Sequence, residues 1–152
     1  MNLKTRLFGD ISVGDDKVVY FENGIIGFPT LKKFAIVHDA QKPNASIVWL
    51  QSLDEGEFAM PVLIPNSILP DYAPSVDPNA LEALGDYEEG GLMLFTTITV
   101  PSDIEKMTIN LKAPIIINNS NRYAVQIIAD NIEYPVRYPI YDLLAQRKAG
   151  GK

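Results

Sequence analysis

Few residues in this chain have types and spacings suited to catalysis. His38 is the one histidine, and it closes an apolar run with Asp39 beside it. A His–Asp pair can act as a general base, but strand neighbours leave opposite faces, so the two do not converge on one site. His38 therefore reads as a structural or surface residue. Carboxylates gather twice, at Asp54/Glu55/Glu57 and at Asp86/Glu88/Glu89. Calcium takes such oxygens, yet neither stretch follows EF-hand spacing, and each reads as a solvated loop. Gly24-Ile25-Ile26-Gly27 supplies glycines without the Lys that completes a phosphate cradle. No nucleophile-elbow, Walker or dinucleotide fingerprint occurs. With no cysteine present, disulfides and thiolate metal sites are excluded. No catalytic, metal-binding or cofactor-binding residue is assigned.

Aromatic anchors are the other chemistry to consider. Trp49, Phe58 and Phe95 lie in apolar runs and read as core. Tyr72 stands in Pro70-Asp71-Tyr72-Ala73-Pro74, a rigid and acidic segment, where an exposed ring is suited to anchoring a partner. Phe28, after the glycine pair, reads first as a core insertion and second as an anchor.

Charge points the same way. No Lys or Arg occurs between Lys42 and Lys106, and eleven acids lie there, so residues 43–105 carry −11 within a chain of net charge −6. A field of one sign attracts partners of the other. Direct nucleic-acid binding is unexpected, because it rests on Lys and Arg neutralising phosphates. No apolar run approaches the roughly 20 residues of a membrane helix, and the opening MNLKTRLFGD has no signal-type apolar region. A soluble cytoplasmic protein without membrane contact is expected.

The stretch Met107–Ala129 is the frame that must position these groups. Met107, Ile109, Leu111 and Ala113 alternate with Thr108, Asn110 and Lys112, the period of a half-buried strand. Pro114 marks a bend, a bulge or a strand start, Ile115–Ile117 suit a buried strand, and Asn118–Asn121 are turn residues in which Asn tolerates positive φ. Tyr123, Val125 and Ile127 resume the alternation, which gives a hairpin with a sharp corner. Ile109, Leu111, Ile115, Ile117, Val125 and Ile127 are expected in one buried cluster.

Before this frame, strands are expected around Lys4–Leu7, Ile11–Val13 and Lys17–Phe21, with Gly14-Asp15-Asp16 as a hairpin turn between the last two. Phe34–His38, Ser46–Gln51, Phe58–Ile64 and Leu92–Val100 read as further strands, with a connector at residues 39–44. Pro61 suggests that Phe58–Ile64 lies near an edge. Asp77, Pro78 and Gly85 bracket a short helix over Asn79–Leu84. Asp86–Gly91 reads as an exposed loop, Val136–Tyr138 as a last strand and Asp142–Lys148 as one or two helical turns. The pattern implies a mainly β, single-domain, small β-barrel-like fold of about eight to ten short antiparallel strands with one or two short helices. It spans residues 1–148, with 149–152 a frayed tail.

In order and spacing, Gly24–Pro29, Trp49–Ser52, Pro70–Tyr72, Asn110–Asn118, Gln126 and the Tyr134…Arg137 pair resemble the bacterial flagellar assembly factor FliW family across nearly the whole chain. Residues 74–91 carry none of these signatures. The resemblance implies a β-barrel-like protein without enzymatic activity. It also implies binding to flagellin in the cytoplasm, and binding and antagonism of the RNA-binding translational repressor CsrA, which relieves repression of flagellin synthesis. Phe28, Asp71, Tyr72, Asp86, Glu88 and Glu89 are the candidate partner-binding residues: the aromatics for an apolar segment of flagellin, the acids for the basic repressor. The alternative is a small flavin-binding split-barrel enzyme or ligand carrier. Such proteins fix phosphate with clustered Arg and Lys, which residues 43–105 lack.

Overall fold

The computed structural model describes residues 2–38 and 47–150; the expected connector at 39–44, with Asp39, and the last two residues lie outside them. Its strands are β1 (Asn2–Thr5), β2 (Gly9–Ser12), β3 (Val18–Phe21), β4 (Lys33–Val37), β5 (Ile47–Ser52) and β6 (Ala59–Leu63). Then come β7 (Leu92–Thr99), β8 (Thr108–Ile109), β9 (Ile115–Asn118), β10 (Tyr123–Gln126) and β11 (Tyr138–Pro139), and helix α1 (Tyr141–Gly150) ends the chain.

Strands β3 to β7 form an antiparallel meander, and β10 and β9 close it, since β10 pairs with β3 and β9 with β7. Seven strands thus make a closed barrel, which removes the unpaired edges an open sheet would expose. The β3–β10 pairing is parallel, Tyr20 opposite Tyr123, so the expected all-antiparallel order fails at the closing seam. Parallel neighbours need a crossover, and here nearly the whole barrel is that crossover.

β1 and β2 pair only with each other. The expected hairpin between β2 and β3 is therefore absent: Asp15–Lys17 forms a 3₁₀ turn that carries the chain from the small sheet to the barrel. Thr5 Oγ accepts from the Phe8 amide at 2.9 Å and donates to the Gly9 carbonyl at 2.8 Å, closing the β1–β2 turn.

The frame residues explain the barrel's corner. β8 and β9 run along the same side of β7 as one interrupted strand: Ile109 faces Ile98 and Ile115 faces Phe95. Residues 110–114 therefore stand opposite only Thr96 and Thr97, and the excess loops out as a bulge. The expected alternation stops at Asn110, whose Oδ1 accepts from the amides of Lys112 and Ala113, both at 3.0 Å. Such side-chain bonds compete with the ladder. After Asn118, the turn needs one positive φ, and it falls on Arg122 at 65°, not on an asparagine. Asn118 and Asn121 instead use their amides to hold the Leu84 carbonyl, each at 2.8 Å.

The six frame residues expected in one cluster are all buried, but in three clusters instead of one. Ile115 and Ile117 fill the barrel with Phe21, Phe34, Leu50 and Val62. Ile109 and Leu111 pack outside it with Leu63, Tyr72 and Ile140. Val125 and Ile127 pack with Ile116 under the segment Pro78–Leu84. That segment ends where expected and starts one residue earlier, at Pro78, with Asp77 Oδ1 accepting from the Asn79 amide at 2.9 Å and Gly85 at φ 68°, but it is 3₁₀.

β6 is an interior strand, contrary to the edge placement suggested by Pro61. Its β7 ladder involves only Val62 and Leu63, so Pro61 lies beyond that ladder. The loop joining β5 and β6 is anchored by the buried Gln51, whose Nε2 faces the carbonyls of Ser52, Gly56 and Phe58 at 3.0–3.1 Å. Asp54 is also structural: its Oδ2 accepts from the Lys32 and Lys33 amides at 2.8 and 2.9 Å. Helix α1 runs to Gly150, two residues past the expected boundary at 148.

Candidate partner interface

The bulge is what builds the first candidate surface. It turns Leu111 outward from the barrel, where the Leu111 amide donates to the Pro135 carbonyl at 3.1 Å and its carbonyl accepts from Tyr72 Oη at 2.7 Å. Around it stand Leu69, Pro70, Asp71, Glu133, Tyr134 and Tyr138, enclosing a cup of about 300 Å³. The rings of Tyr72 and Tyr134 lie 4.7 Å apart and tilted at 57°, and Tyr134 Oη accepts from the Ala73 amide at 3.0 Å. Asp71 and Glu133 are exposed at its rim. Next to Glu133, Ile132 is 96% exposed.

Tyr72 is thus not the free anchor expected from its segment. It is 6% exposed and spends its hydroxyl on Leu111. Prolines at 70 and 74 suggested an extended surface loop; the three-residue spacing from Leu69 folds the ring inward instead, with the Tyr72 amide donating to the Leu69 carbonyl at 3.0 Å. Burial, reinforced by Tyr134 beside it, pushes the Tyr72 phenol well above the ordinary range. A raised folded-state pKa favours the neutral form, so this stability is present below the unfolded phenol pKa of about 10 and is lost as pH rises above it. Denaturant melts between pH 9 and 12 are expected to show a loss of stability that Tyr72→Phe reduces; equal slopes for both proteins would contradict this.

A second surface forms around the Gly24–Pro29 loop. Ile25, at 5% exposure, is the residue that enters the core, while Phe28 is 47% exposed. The expected insertion is made by the earlier residue because Ile25 and Phe28 bond each other's backbone across the turn. Phe28 lies over Phe58, with ring centroids 4.8 Å apart. On the loop's other side, Ile26 is held by Gln126 Oε1, which accepts from its amide at 2.9 Å. Gln126 Nε2 donates to the Ala113 carbonyl at 3.2 Å, so one side chain ties this loop to the bulge. Ile26, Ala80, Ile127 and Ile128 then line an apolar groove of about 380 Å³. Ile128, 60% exposed, was missed because the sequence reads as continuing β10, which ends at Gln126.

Asp86, Glu88 and Glu89 are exposed on the loop before β7. Asn118 Nδ2 holds the Asp86 carbonyl at 2.9 Å, leaving the carboxylates outward. β7 begins at this loop and reaches the cup's cluster at Ile98, roughly 20 Å of strand away. The structure therefore brings Asp71 and Tyr72 together and keeps Asp86, Glu88 and Glu89 as a separate acidic group. Among the described residues no cluster of His, Cys, Asp or Glu is arranged to hold a metal ion, no helix is long and apolar enough to cross a membrane, and His38 is exposed.

Comparisons with known proteins agree with this architecture. The family model described as FliW protein matches residues 2–140. The flagellar assembly factor FliW of Lachnospira eligens is 47% identical over 150 residues, covering 97% of this chain and 99% of that protein. That of Lachnoclostridium phytofermentans is 40% identical over 148 residues, covering 97% and 95%. A crystal structure of the flagellar assembly factor FliW superimposes with a TM-score of 0.83 at 30% identity, covering 93% of this chain and 97% of that one. The family match, the sequence identities and the shared fold together place the chain in the FliW family.

Proposed function

We propose that this protein is a non-enzymatic flagellar assembly factor that works in the cytoplasm by binding flagellin and by capturing the translational repressor CsrA. The observation that carries the second activity is the base-free acidic stretch 43–105, which presents Asp86, Glu88 and Glu89 outward from a loop whose backbone is fixed by Asn118. A repressor that binds RNA must carry basic surface, and complementary fields speed encounter and fix orientation. Asp71 and Glu133 at the tyrosine cup add acids at a second place, with the exposed Ile132 next to Glu133 in sequence as an apolar contact. Two separated groups form a broad field better suited to repelling RNA from beside its site than to imitating one phosphate path. Flagellin, with apolar segments, is matched by the other surface: Phe28 and the groove of Ile26 and Ile128.

Changing Asp86, Glu88 and Glu89 together to their amides tests this reading. The fold should be retained, since these three side chains are exposed. Association with the repressor, followed by stopped-flow fluorescence, should slow about tenfold at low ionic strength, and the difference should shrink as salt screens the field. Flagellin affinity should be unchanged. Repressor capture and RNA displacement equal to the parent's at both low and high salt would refute the role of this loop.

A further inference from the structure

A third cavity, of about 570 Å³, lies between the β1–β2 sheet and the barrel, away from both surfaces above. Its size is that of a small-molecule or chain-end site. Among the described residues, every ionisable group lining it is a base, Lys17, His38 and Arg122, in a chain whose net charge is −6. Asp15 and Asp16 precede Lys17 in its turn, yet neither lines the cavity. The remaining wall is mostly apolar, with Ile36, Val37 and Met93 prominent. The β3–β4 ladder closes at Val18 opposite Ala35, so Ile36 and Val37 have no β3 partner in register.

Arg122 is held there at a cost. It is the one described non-glycine residue with positive φ, at 65°, although Asn121 beside it would adopt that backbone more easily. Its Nη2 donates to the Lys17 carbonyl at 3.3 Å, and its Nε is buried without an acceptor. Strain and an unsatisfied donor in one residue are the marks of a group kept for something other than stability. A guanidinium fork and an ammonium lining one cavity match a carboxylate.

We propose that this cavity binds a carboxylate carrying an apolar chain, its charged end held by Lys17 and Arg122 and its chain lying along Ile36, Val37 and Met93. That chemistry occurs both at the C terminus of an apolar polypeptide and in a free medium-chain fatty acid. The site is independent of the partner surfaces above, and its failure would leave them untouched.

Calorimetric titration of the full chain separates the outcomes. The probes are octanoate, octanol, and an acetylated apolar hexapeptide in its acid and C-terminal amide forms. At least one acid probe should bind with Kd below about 1 mM, and its uncharged counterpart about tenfold or more weakly. Binding of the peptide acid alone would assign a chain terminus, and of octanoate alone a free amphiphile; either supports the site. Lys17→Met and Arg122→Gly should each weaken binding about tenfold. Arg122→Gly relieves the positive φ, so its Tm should be equal to the parent's or higher, which separates loss of a ligand group from loss of the fold. The proposal is overturned if neither acid binds, if octanol or the amide binds as tightly, or if both variants bind like the parent.

Discussion

Leu111→Ala is expected to lower the free energy of unfolding by about 2–5 kcal/mol, the range for emptying a buried leucine site. Leu111 is 2% exposed and packs with Leu63, Tyr72, Ile98, Ile109 and Ile140. Its backbone is fixed at both ends, by the Pro135 carbonyl and by the Tyr72 hydroxyl, so the bulge cannot readily collapse into the space left. The cluster lies outside the barrel, which makes a distinction possible. Near-ultraviolet signals from Tyr72, Tyr134 and Tyr138 should change, while those of Trp49 on β5 should be kept in the folded variant. Urea melts give the magnitude. A loss below about 0.5 kcal/mol would mean that Leu111 does not serve as core. Tyr72→Phe should cost about 1–3 kcal/mol if it strands the Leu111 carbonyl away from water.

Gly24→Ala should be comparably severe, at about 3 kcal/mol or more, for a different reason. Gly24 has φ 69°, and a Cβ there would meet the Phe28 carbonyl oxygen and the Pro29 carbonyl, all at 2.6 Å. These are backbone atoms of a turn closed by two Ile25–Phe28 bonds, so relief requires the loop to open. Left-handed backbone alone costs an alanine about 1 kcal/mol. Gly27 supplies the control: its φ is 89°, but nothing lies within 4 Å of a Cβ built there. Gly27→Ala should therefore cost only about 1 kcal/mol. Equal losses for the two alanines would show that the close approach at Gly24 has no energetic consequence. Since Ile26 lines the apolar groove, Gly24→Ala should also weaken any ligand of that groove more than Gly27→Ala does.

Periodicity carried strands such as β3, which has one face on the core and one outward, and an unbroken isoleucine run carried β9, which is buried at all four positions. It also carried the capped segment before Gly85, where Asp77 and Pro78 act within a few residues of one another. What it could not carry was pairing between distant strands. The parallel seam of Tyr20 with Tyr123 leaves no local trace, and neither does the choice of β2 to pair with β1 instead of β3. Alternation through Met107–Ala113 looked like one strand because Asn110 can equally sit in a strand or bond Lys112 and Ala113. Only the count of residues facing β7 reveals the bulge. Among the candidate site residues, Asp71, Asp86, Glu88 and Glu89 are exposed, as composition suggested. The two aromatics are exchanged: Tyr72 is inside and Phe28 half outside, because proline spacing says where a chain bends but not toward what. Lys17, His38 and Arg122 meet only through the fold, so no local spacing joins them.

The seam between β3 and β10 also sets a timetable. Ile26 and its partner Gln126 are 100 positions apart, so β3 leaves a ribosome well before β10. At roughly 5–20 residues per second, its second neighbour follows about 5–20 s later. Through that interval the apolar run Val18–Phe21 has one open side, the kind of edge that recruits other strands. A nascent chain stopped before Tyr123 would be left with an unclosed meander and an adhesive border. Termination before Tyr123 should therefore produce aggregates rather than a smaller working protein.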